Sequence, residues 1–292
     1  VRRRALMRRL AAVETLGSTS VICTDKTGTL TRGEMTLRRS YVAGRWIEVG
    51  GAGYAPVGSF TLGAGGEPAT TGPPVAVPVG SLRPLLEAGA LCSDARLVQA
   101  PDGSWTIRGD PTEAALIVAA AKAGLDRGAL EAAWPRVHEI PFSSETKRMT
   151  TLHAAQSGTV AYTKGAPEVV LAACVAEQTD AGPIPLDAAA RARILGAAQA
   201  MASDALRVLA IAARPAATPE SAATGMTLPG LVGIVDPPRA EAREALATCA
   251  RAGIRVVMIT GDHPHTAAAI ARELGLLRGG RVVTGADLAA LA

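Results

Sequence analysis

Short apolar runs that end in polar residues recur along this chain, and they predict strands of a parallel sheet. One run, residues 21–23, leads to Asp25, and another, residues 254–259, leads to the polar residues 260–262. Near-continuous apolar runs such as these are typical of strands that are buried on both faces. Because open parallel sheets bind ligands outside the carboxyl ends of their strands, the polar residues after both runs are candidates for a functional site.

Between these two runs, strands and helices are predicted to alternate. Ten glycines and five prolines between Ala43 and Gly80 favour short strands joined by turns. Residues 225–230 are expected to be a connection. Predicted helices cover residues 5–16, 82–92, 167–175, 187–203, 239–251 and 262–274, with another beginning at Asp110, and predicted strands cover residues 104–108, 137–141, 149–153, 160–164, 208–213, 231–235 and 281–284.

This order of elements predicts an α/β fold with a doubly wound parallel sheet that a large insertion splits in two. Residues 1–37 are expected to supply the first strand of the sheet, and residues 231–292 its remaining strands. The insertion, residues 38–230, is expected to be an α+β domain. With 292 residues, the chain is long enough for about two domains that each have a core.

Composition and charge limit the classes of protein that fit. The chain has 30 basic and 26 acidic side chains, a balance too mild to indicate nucleic-acid binding. It contains no run of about 18 apolar residues, so no membrane-spanning helix is predicted within it. Five arginines among the first nine residues fit either a solvated helix end or a segment beside a membrane. Cys23, Cys92, Cys174 and Cys249 lack a CxxC spacing, which favours buried thiols in a reducing compartment.

Asp25 is the candidate nucleophile of this chain. It follows the first apolar run and precedes a lysine, a threonine and a glycine. A carboxylate in such a position is able to act as a nucleophile that forms a covalent intermediate. An aspartate at a strand end is more often a turn former or a helix cap, so the position alone does not establish the role.

Residues 25–31, Asp-Lys-Thr-Gly-Thr-Leu-Thr, resemble the phosphorylation signature of the P-type cation-transporting ATPases without a substitution. Stretches similar to that family follow in the family's order at residues 164–168, 236–239 and 260–262. The lead-in at residues 13–17 and the proline pair after Asp236 resemble the branch that contains calcium and sodium/potassium pumps. A weaker match, to the adenine-pocket stretch of the family, consists of Phe142, Ser143, Lys147 and Met149.

The resemblance implies an enzyme that uses ATP and Mg²⁺. Asp25 would accept the γ-phosphoryl group of ATP, and the aspartyl phosphate would drive cation transport across a membrane. Asp25 and the main-chain oxygen of Thr27 would bind magnesium, which prefers oxygen ligands. Lys26 would be a nearby cation. The residues implied to hold phosphate oxygens are Thr27, Gly28, Thr260, Gly261 and Asp262.

The same resemblance makes the insertion the nucleotide-binding domain and the split sheet a haloacid dehalogenase-like phosphorylation domain. Closure of the insertion would bring the bound ATP to Asp25. On pattern alone, Glu113 is the acid of a helix capping box, Phe142 is a core residue and Asp236 shapes a hinge. The residues implied to bind the nucleotide are Glu113, Phe142, Ser143, Lys147, Lys164, Gly165 and Arg207.

The family also has a further magnesium-site segment, transmembrane helices and an actuator domain, which this sequence does not contain. The chain is therefore expected to be a soluble piece from the cytoplasmic face of a membrane pump. It would bind adenine nucleotide, form little or no stable phosphoenzyme, and not bind the transported cation itself. Its sequence does not indicate which cation that is.

Two other functions fit part of the sequence. A haloacid dehalogenase-like phosphatase shares the strand-end aspartate, but it usually has a second aspartate two residues later as general acid and base, where this chain has Thr27. A non-catalytic nucleotide-binding regulator would bind ATP without a need for magnesium or Asp25. Whether substitution of Asp25 changes the magnesium-dependent affinity for ATP separates the regulator from the pump.

Overall fold

The computed structural model describes residues 17–63, 75–156, 158–215, 217–262, 264–277 and 279–290. The predicted helix over residues 5–16 and the arginine-rich start of the chain lie outside these residues. The described residues belong to two compact units, one from the ranges Val1–Gly33 and Pro238–Ala292 and the other from Glu34–Pro237. Among the helices that the structure describes, none is both long and apolar enough to span a bilayer.

The described elements, in chain order, are as follows. The strands are β1 (Val21–Asp25), β2 (Thr36–Val42), β3 (Arg45–Val49), β4 (Phe60–Leu62), β5 (Arg96–Gln99), β6 (Trp105–Arg108), β7 (Arg136–Ile140), β8 (Arg148–Ala155), β9 (Gly158–Gly165), β10 (Cys174–Thr179), β11 (Gly182–Pro185), β12 (Arg207–Pro215), β13 (Met226–Val235) and β14 (Arg255–Ile259). The helices are α1 (Val79–Leu91), α2 (Pro111–Lys122), α3 (Arg127–Ala133), α4 (Pro167–Ala173), α5 (Ala188–Ser203), α6 (Ala240–Arg251), α7 (Pro264–Glu273) and α8 (Gly285–Ala289).

The smaller unit is built around β1 and β14, which pair in parallel although more than 200 residues separate them. In the register of this pair, Asp25 lies opposite Ile259, so the residues after both strands lie at the same edge. The prediction that these two strands run parallel in one sheet is therefore confirmed. Val21, Cys23, Val257 and Ile259 are exposed, so the expectation that both strands are buried on both faces is wrong. The expectation that all four thiols are buried holds for Cys92 and Cys174, but Cys23 is exposed and Cys249 is only partly buried.

The larger unit contains a ten-stranded sheet in the order β4-β3-β2-β13-β12-β9-β8-β7, with β10 against β13 and β11 against β10. Helices α1, α2 and α3 pack on one face, where their side chains meet Val232 and Ile234 of β13. Helices α4 and α5 pack on the other face, where they meet Leu231 of the same strand. The hairpin of β5 and β6 covers the outer side of α2, so Ala114–Ala120 are buried on every side of that helix.

Three expectations about the later part of the chain are wrong. Residues 225–230 were expected to be a connection, but all except the first belong to β13. The strand over residues 231–235 was assigned to the parallel sheet of Asp25, whereas it runs antiparallel between β2 and β12 in the larger unit. Residues 281–284 form no strand, because Thr284 instead caps α8. The compact units accordingly divide at 33/34 and 237/238, rather than at 37/38 and 230/231.

Candidate functional site

Asp25 presents an exposed carboxylate at the end of β1. Its Oδ1 accepts a hydrogen bond from the main-chain amide of Lys26 at 2.8 Å. Because Asp25 lies opposite Ile259 in the parallel register, Thr260 follows at the same edge of the strand pair. The structure thus brings together the two polar stretches that the sequence places at strand ends.

The turn after Asp25 is held by a buried threonine. Thr31 is fully buried, and both its amide and its Oγ1 donate to the carbonyl oxygen of Lys26 at 3.0 Å. Its Oγ1 also accepts from the amide of Gly28 at 3.3 Å. Gly28 has φ of 74°, a backbone conformation that glycine adopts without strain. Thr27 is exposed at the outside of this turn.

Arg239 binds the same turn through hydrogen bonds, although it was not predicted to be a site residue. Its Nη2 donates to the carbonyl of Gly28 and its Nε to the carbonyl of Thr31, both at 3.0 Å. Its main-chain amide donates to Leu30 at 2.9 Å. The signal that could have found it is its place in the Asp-Pro-Pro-Arg stretch, but the contact with residues 28–31 is not visible in the sequence.

Lys26 is turned inward and bound to Asp262. The Nζ of Lys26 lies 2.7 Å from Oδ2 of Asp262, and the two side chains are 8% and 29% exposed. The amide of Asp262 donates to Oγ1 of Thr260 at 3.1 Å. The ion pair therefore ties the stretch after β14 to the stretch after β1, and Lys26 neutralises a neighbouring acid.

The atoms at this edge that could coordinate a metal ion are oxygens. They are the Asp25 carboxylate and main-chain carbonyls of the turn, which includes Thr27. Among the described residues, no group of three or more His, Cys, Asp or Glu side chains is placed to hold a metal. Such a donor set fits Mg²⁺, which keeps water and phosphate ligands and needs few protein ligands.

The predicted nucleotide residues meet at one edge of the ten-stranded sheet of the larger unit. The loop between β7 and β8 carries Phe142, Ser143 and Lys147, and β8 places Arg148 opposite Gly165 at the end of β9. Phe142 is 63% exposed, so the simpler expectation that it is a core residue is wrong. Its ring is available to stack against a ligand.

The loop is held against Gly165 by close backbone contact. The Lys147 carbonyl accepts from the amide of Ala166 at 3.0 Å, and the Lys147 amide donates to Ser143 at 2.8 Å. A Cβ atom on Gly165 would lie 2.5 Å from the Lys147 oxygen and 2.8 Å from Cα of Arg148. Only glycine permits this approach, which explains the glycine after Lys164.

The side chain of Lys164 is nearly buried, and its ammonium group has three hydrogen-bond acceptors. Its Nζ donates to Oε1 of Glu113 at 2.6 Å, to Sδ of Met149 at 3.2 Å and to the carbonyl of Cys92. The Lys164 and Glu113 side chains are 10% and 12% exposed. An ammonium has three N–H donors, and these three acceptors occupy them. In this arrangement Lys164 supports the site and has no donor left for a ligand.

Glu113 does not complete the predicted capping box, because its carboxylate instead links Lys164 to the backbone of residues 94 and 95. Asp110 caps α2 as predicted, since its Oδ1 accepts from the amides of Thr112 at 2.8 Å and Glu113 at 3.1 Å. The carboxylate of Glu113, however, accepts from Lys164 and from the two amides of residues 94 and 95, at 2.7 and 3.0 Å. Arg207 lies at the same helix end, where its Nη1 donates to Oγ1 of Thr112 at 2.8 Å.

Asp236 lies where the larger unit ends. It is 8% exposed, and its Oδ1 accepts from the amide of Glu34, where the larger unit begins, at 3.3 Å. Burial and the nearby carboxylates of Glu34, Asp236 and Asp110 raise the pKa of Tyr54 above its usual value. These contacts join the first and last residues of this unit.

Comparison with known proteins gives a consistent result. A family model described as the P-type ATPase cytoplasmic domain N matches residues 81–241. The probable cation-transporting ATPase F of Mycobacterium tuberculosis is 46% identical over 304 residues, which cover 99% of this chain and 32% of that protein. A calcium-transporting ATPase of Bacillus subtilis is 39% identical over 292 residues, 98% of this chain and 32% of that protein. The chain spans about a third of the length of these relatives.

Proposed function

This chain belongs to the P-type cation-transporting ATPases, and we propose that it carries the nucleotide-binding and phosphorylation parts of such a pump. The larger unit, Glu34–Pro237, binds MgATP, and the smaller unit carries the phosphate acceptor, Asp25. In the intact protein, phosphorylation of Asp25 drives a cation across a membrane, and this chain lies on the cytoplasmic face. The observation that carries the proposal is the exposed carboxylate of Asp25 beside the stretch after β14.

We assign the smaller unit to the haloacid dehalogenase-like fold. The parallel pairing of β1 with β14 supports this assignment, as do α6 before β14 and α7 after it. In such folds the carboxyl ends of the strands carry the chemistry. Asp25 is the last residue of β1, and Thr260 directly follows β14 at the same edge.

The reaction is phosphoryl transfer from ATP to a carboxylate. An oxygen of Asp25 forms a bond to the γ-phosphorus while the bond from that phosphorus to the bridging oxygen of ADP breaks. Such a transfer depends mainly on positioning and on neutralisation of charge. Thr27, Gly28, Thr260 and Gly261 hold phosphate oxygens, and the Lys26–Asp262 pair keeps the two stretches together. Magnesium, when bound by Asp25 and the Thr27 carbonyl, supplies further neutralisation of phosphate charge.

Nucleotide is bound at the edge of the larger sheet. The exposed ring of Phe142 stacks against the base, and Ser143 and Lys147 line the same loop. Arg207, exposed beside the first turn of α2, supplies positive charge for the phosphates. Lys164 and Glu113 shape the floor of the site through their mutual ion pair.

Equilibrium binding tests the nucleotide part of the proposal. Titration calorimetry with MgATP should show binding to the chain, and Phe142→Ala should weaken it about tenfold, because base–aromatic stacking contributes about 1–3 kcal/mol. Val175→Ala is the matched control, since Val175 is similarly exposed, at 59%, on β10. Unchanged affinity in Phe142→Ala, or equal losses in both variants, would contradict the assignment of this site.

A further inference from the structure

Residues 91–95, which join α1 to β5, are the backbone against which Lys164 and Glu113 are fixed; we call them the 91–95 connector. The carbonyl of Cys92 accepts from Lys164, and the amides of Asp94 and Ala95 donate to Glu113. Cys92, Ser93 and Ala95 are completely buried. The position of the Lys164–Glu113 pair therefore depends on the position of this connector.

Two arginines hold the connector through three further carbonyl groups, those of residues 91, 93 and 95. Arg136 donates through Nη2 to Leu91 at 3.0 Å and to Ser93 at 2.8 Å. Arg127 donates through Nη2 to Ser93 at 2.6 Å and through Nη1 to the carbonyl of Ala95. The four carbonyls of residues 91, 92, 93 and 95 are thus all bound by cationic side chains, one by Lys164 and three by the arginines.

The arginines are themselves fixed by carboxylates. Nη1 of Arg136 lies 2.6 Å from Asp94 and 2.9 Å from Glu139. Nε of Arg127 lies 2.9 Å from Glu131. A planar guanidinium with five donors can bond carbonyls and a carboxylate together, which a lysine cannot do to the same extent.

The connector packs against the core through Leu91, Cys92 and Ala95, and on the arginine side it borders open space. A cavity of about 320 Å³ adjoins the arginines and is also lined by Leu91, Glu131 and His153. A close-packed core would restrain the connector by contact alone. Next to a cavity of this size, loss of the guanidinium bonds leaves the backbone room to move.

We propose that Arg127 and Arg136 are positioning residues of the nucleotide site, which act through the 91–95 connector on Lys164 and Glu113. This inference rests on the proposed nucleotide binding for its effect on affinity. Its effect on Lys164 does not depend on nucleotide, because the contacts from the arginines to Lys164 are all within the protein.

The test measures Lys164 directly. The rate at which acetic anhydride acylates Lys164 is followed by mass spectrometry without nucleotide, and MgATP affinity is measured by calorimetry on the same preparations. In Arg136→Gln and Arg127→Gln we expect acylation about tenfold faster and affinity about tenfold weaker, a change that corresponds to about 1.4 kcal/mol. Arg136→Lys keeps the charge but has fewer directed donors, so it should lie between Arg136→Gln and the unchanged protein.

The control is Arg83→Gln, which removes an arginine of α1 whose side chain is 57% exposed, together with its i,i+4 pair with Glu87. It should change neither measurement. Acylation of Lys164 in the Arg136 and Arg127 variants at the rate of the unchanged protein would overturn the inference. If Arg136→Gln does not fold, Arg136→Lys and Arg127→Gln decide by the same comparison. Absence of MgATP binding in the unchanged protein would refute the proposed function, while the acylation rates would still decide the positioning role.

Discussion

Replacement of Glu113 by Gln gives the sharpest test of how the nucleotide edge is stabilised. The substitution keeps the size and shape of the side chain. An amide oxygen can still accept from the two amides of Asp94 and Ala95, but the Lys164 ammonium loses its only carboxylate partner among the described residues, at 2.6 Å. A charge that is 10% exposed is then left without a counter-charge.

The magnitude follows from burial. Removal of one partner of a buried ion pair costs about 3–5 kcal/mol, and because both side chains retain slight exposure we expect about 3 kcal/mol for Glu113→Gln. Arg83→Gln should cost less than about 0.5 kcal/mol, because the Arg83 side chain is 57% exposed and solvent screens its pair with Glu87. The double variant Glu113→Gln with Lys164→Met should recover part of the loss, since no uncompensated charge remains.

Urea unfolding followed by tryptophan fluorescence measures this quantity for one unit alone. All three tryptophans, Trp46, Trp105 and Trp134, lie in Glu34–Pro237. A free energy of unfolding for Glu113→Gln within about 0.5 kcal/mol of the unchanged protein would refute the reasoning, because that is the effect of an exposed pair.

Three further outcomes are expected. Gly165→Ala should destabilise the larger unit by about 1–3 kcal/mol in the same urea assay, since its Cβ would meet rigid backbone atoms, and a neutral result would be inconsistent with the close contact of Gly165 and Lys147. Burial raises the pKa of Tyr162 to about 12; the unfolded chain releases this proton near pH 10, so stability should fall as the pH rises from about 10 to about 12, and less steeply in Tyr162→Phe. A thiol reagent should label exposed Cys23 rapidly in the native protein and Cys174 only on unfolding, because burial raises the pKa of Cys174 to about 12; equal rates would contradict the described burial.

The sequence predicted most helices and strands of the larger unit, but not the sheet to which β13 belongs. Its apolar run was interpreted as a strand of a parallel sheet, because such runs indicate burial on both faces. In the structure both faces of β13 are indeed covered, by α1–α3 on one side and by α4 and α5 on the other, yet its neighbours β2 and β12 are antiparallel to it. The pattern of apolar residues along a strand indicates which faces are buried, but it does not indicate whether the neighbouring strands run parallel or antiparallel.

Local sequence was also a poor guide at the end of the chain. Val282 and Val283 suggested a strand, but both are exposed. The stronger local signal was Thr284 with Asp287, which form the reciprocal hydrogen bonds of a capping box at the start of α8.

The candidate sites were predictable only where their residues are contiguous. The seven residues from Asp25 are readable as one stretch, and Asp110 was correctly assigned as a helix cap. The contacts of Arg239 with the turn after Asp25, and of Arg136 with Ser93, join residues 43 or more positions apart. No short-range pattern reports such contacts, so they required the fold.

Phosphorylation of Asp25 is the central claim, and a radiolabel measurement tests it most directly. The chain is incubated with γ-labelled ATP and magnesium, quenched in acid and mapped by peptide. Because this chain is expected to form little stable phosphoenzyme, we expect a small, substoichiometric amount of acid-stable label on the peptide that contains Asp25, and none in Asp25→Asn, which should still bind ATP through the larger unit. Label that persists in Asp25→Asn, or that lies on another peptide, would contradict the account.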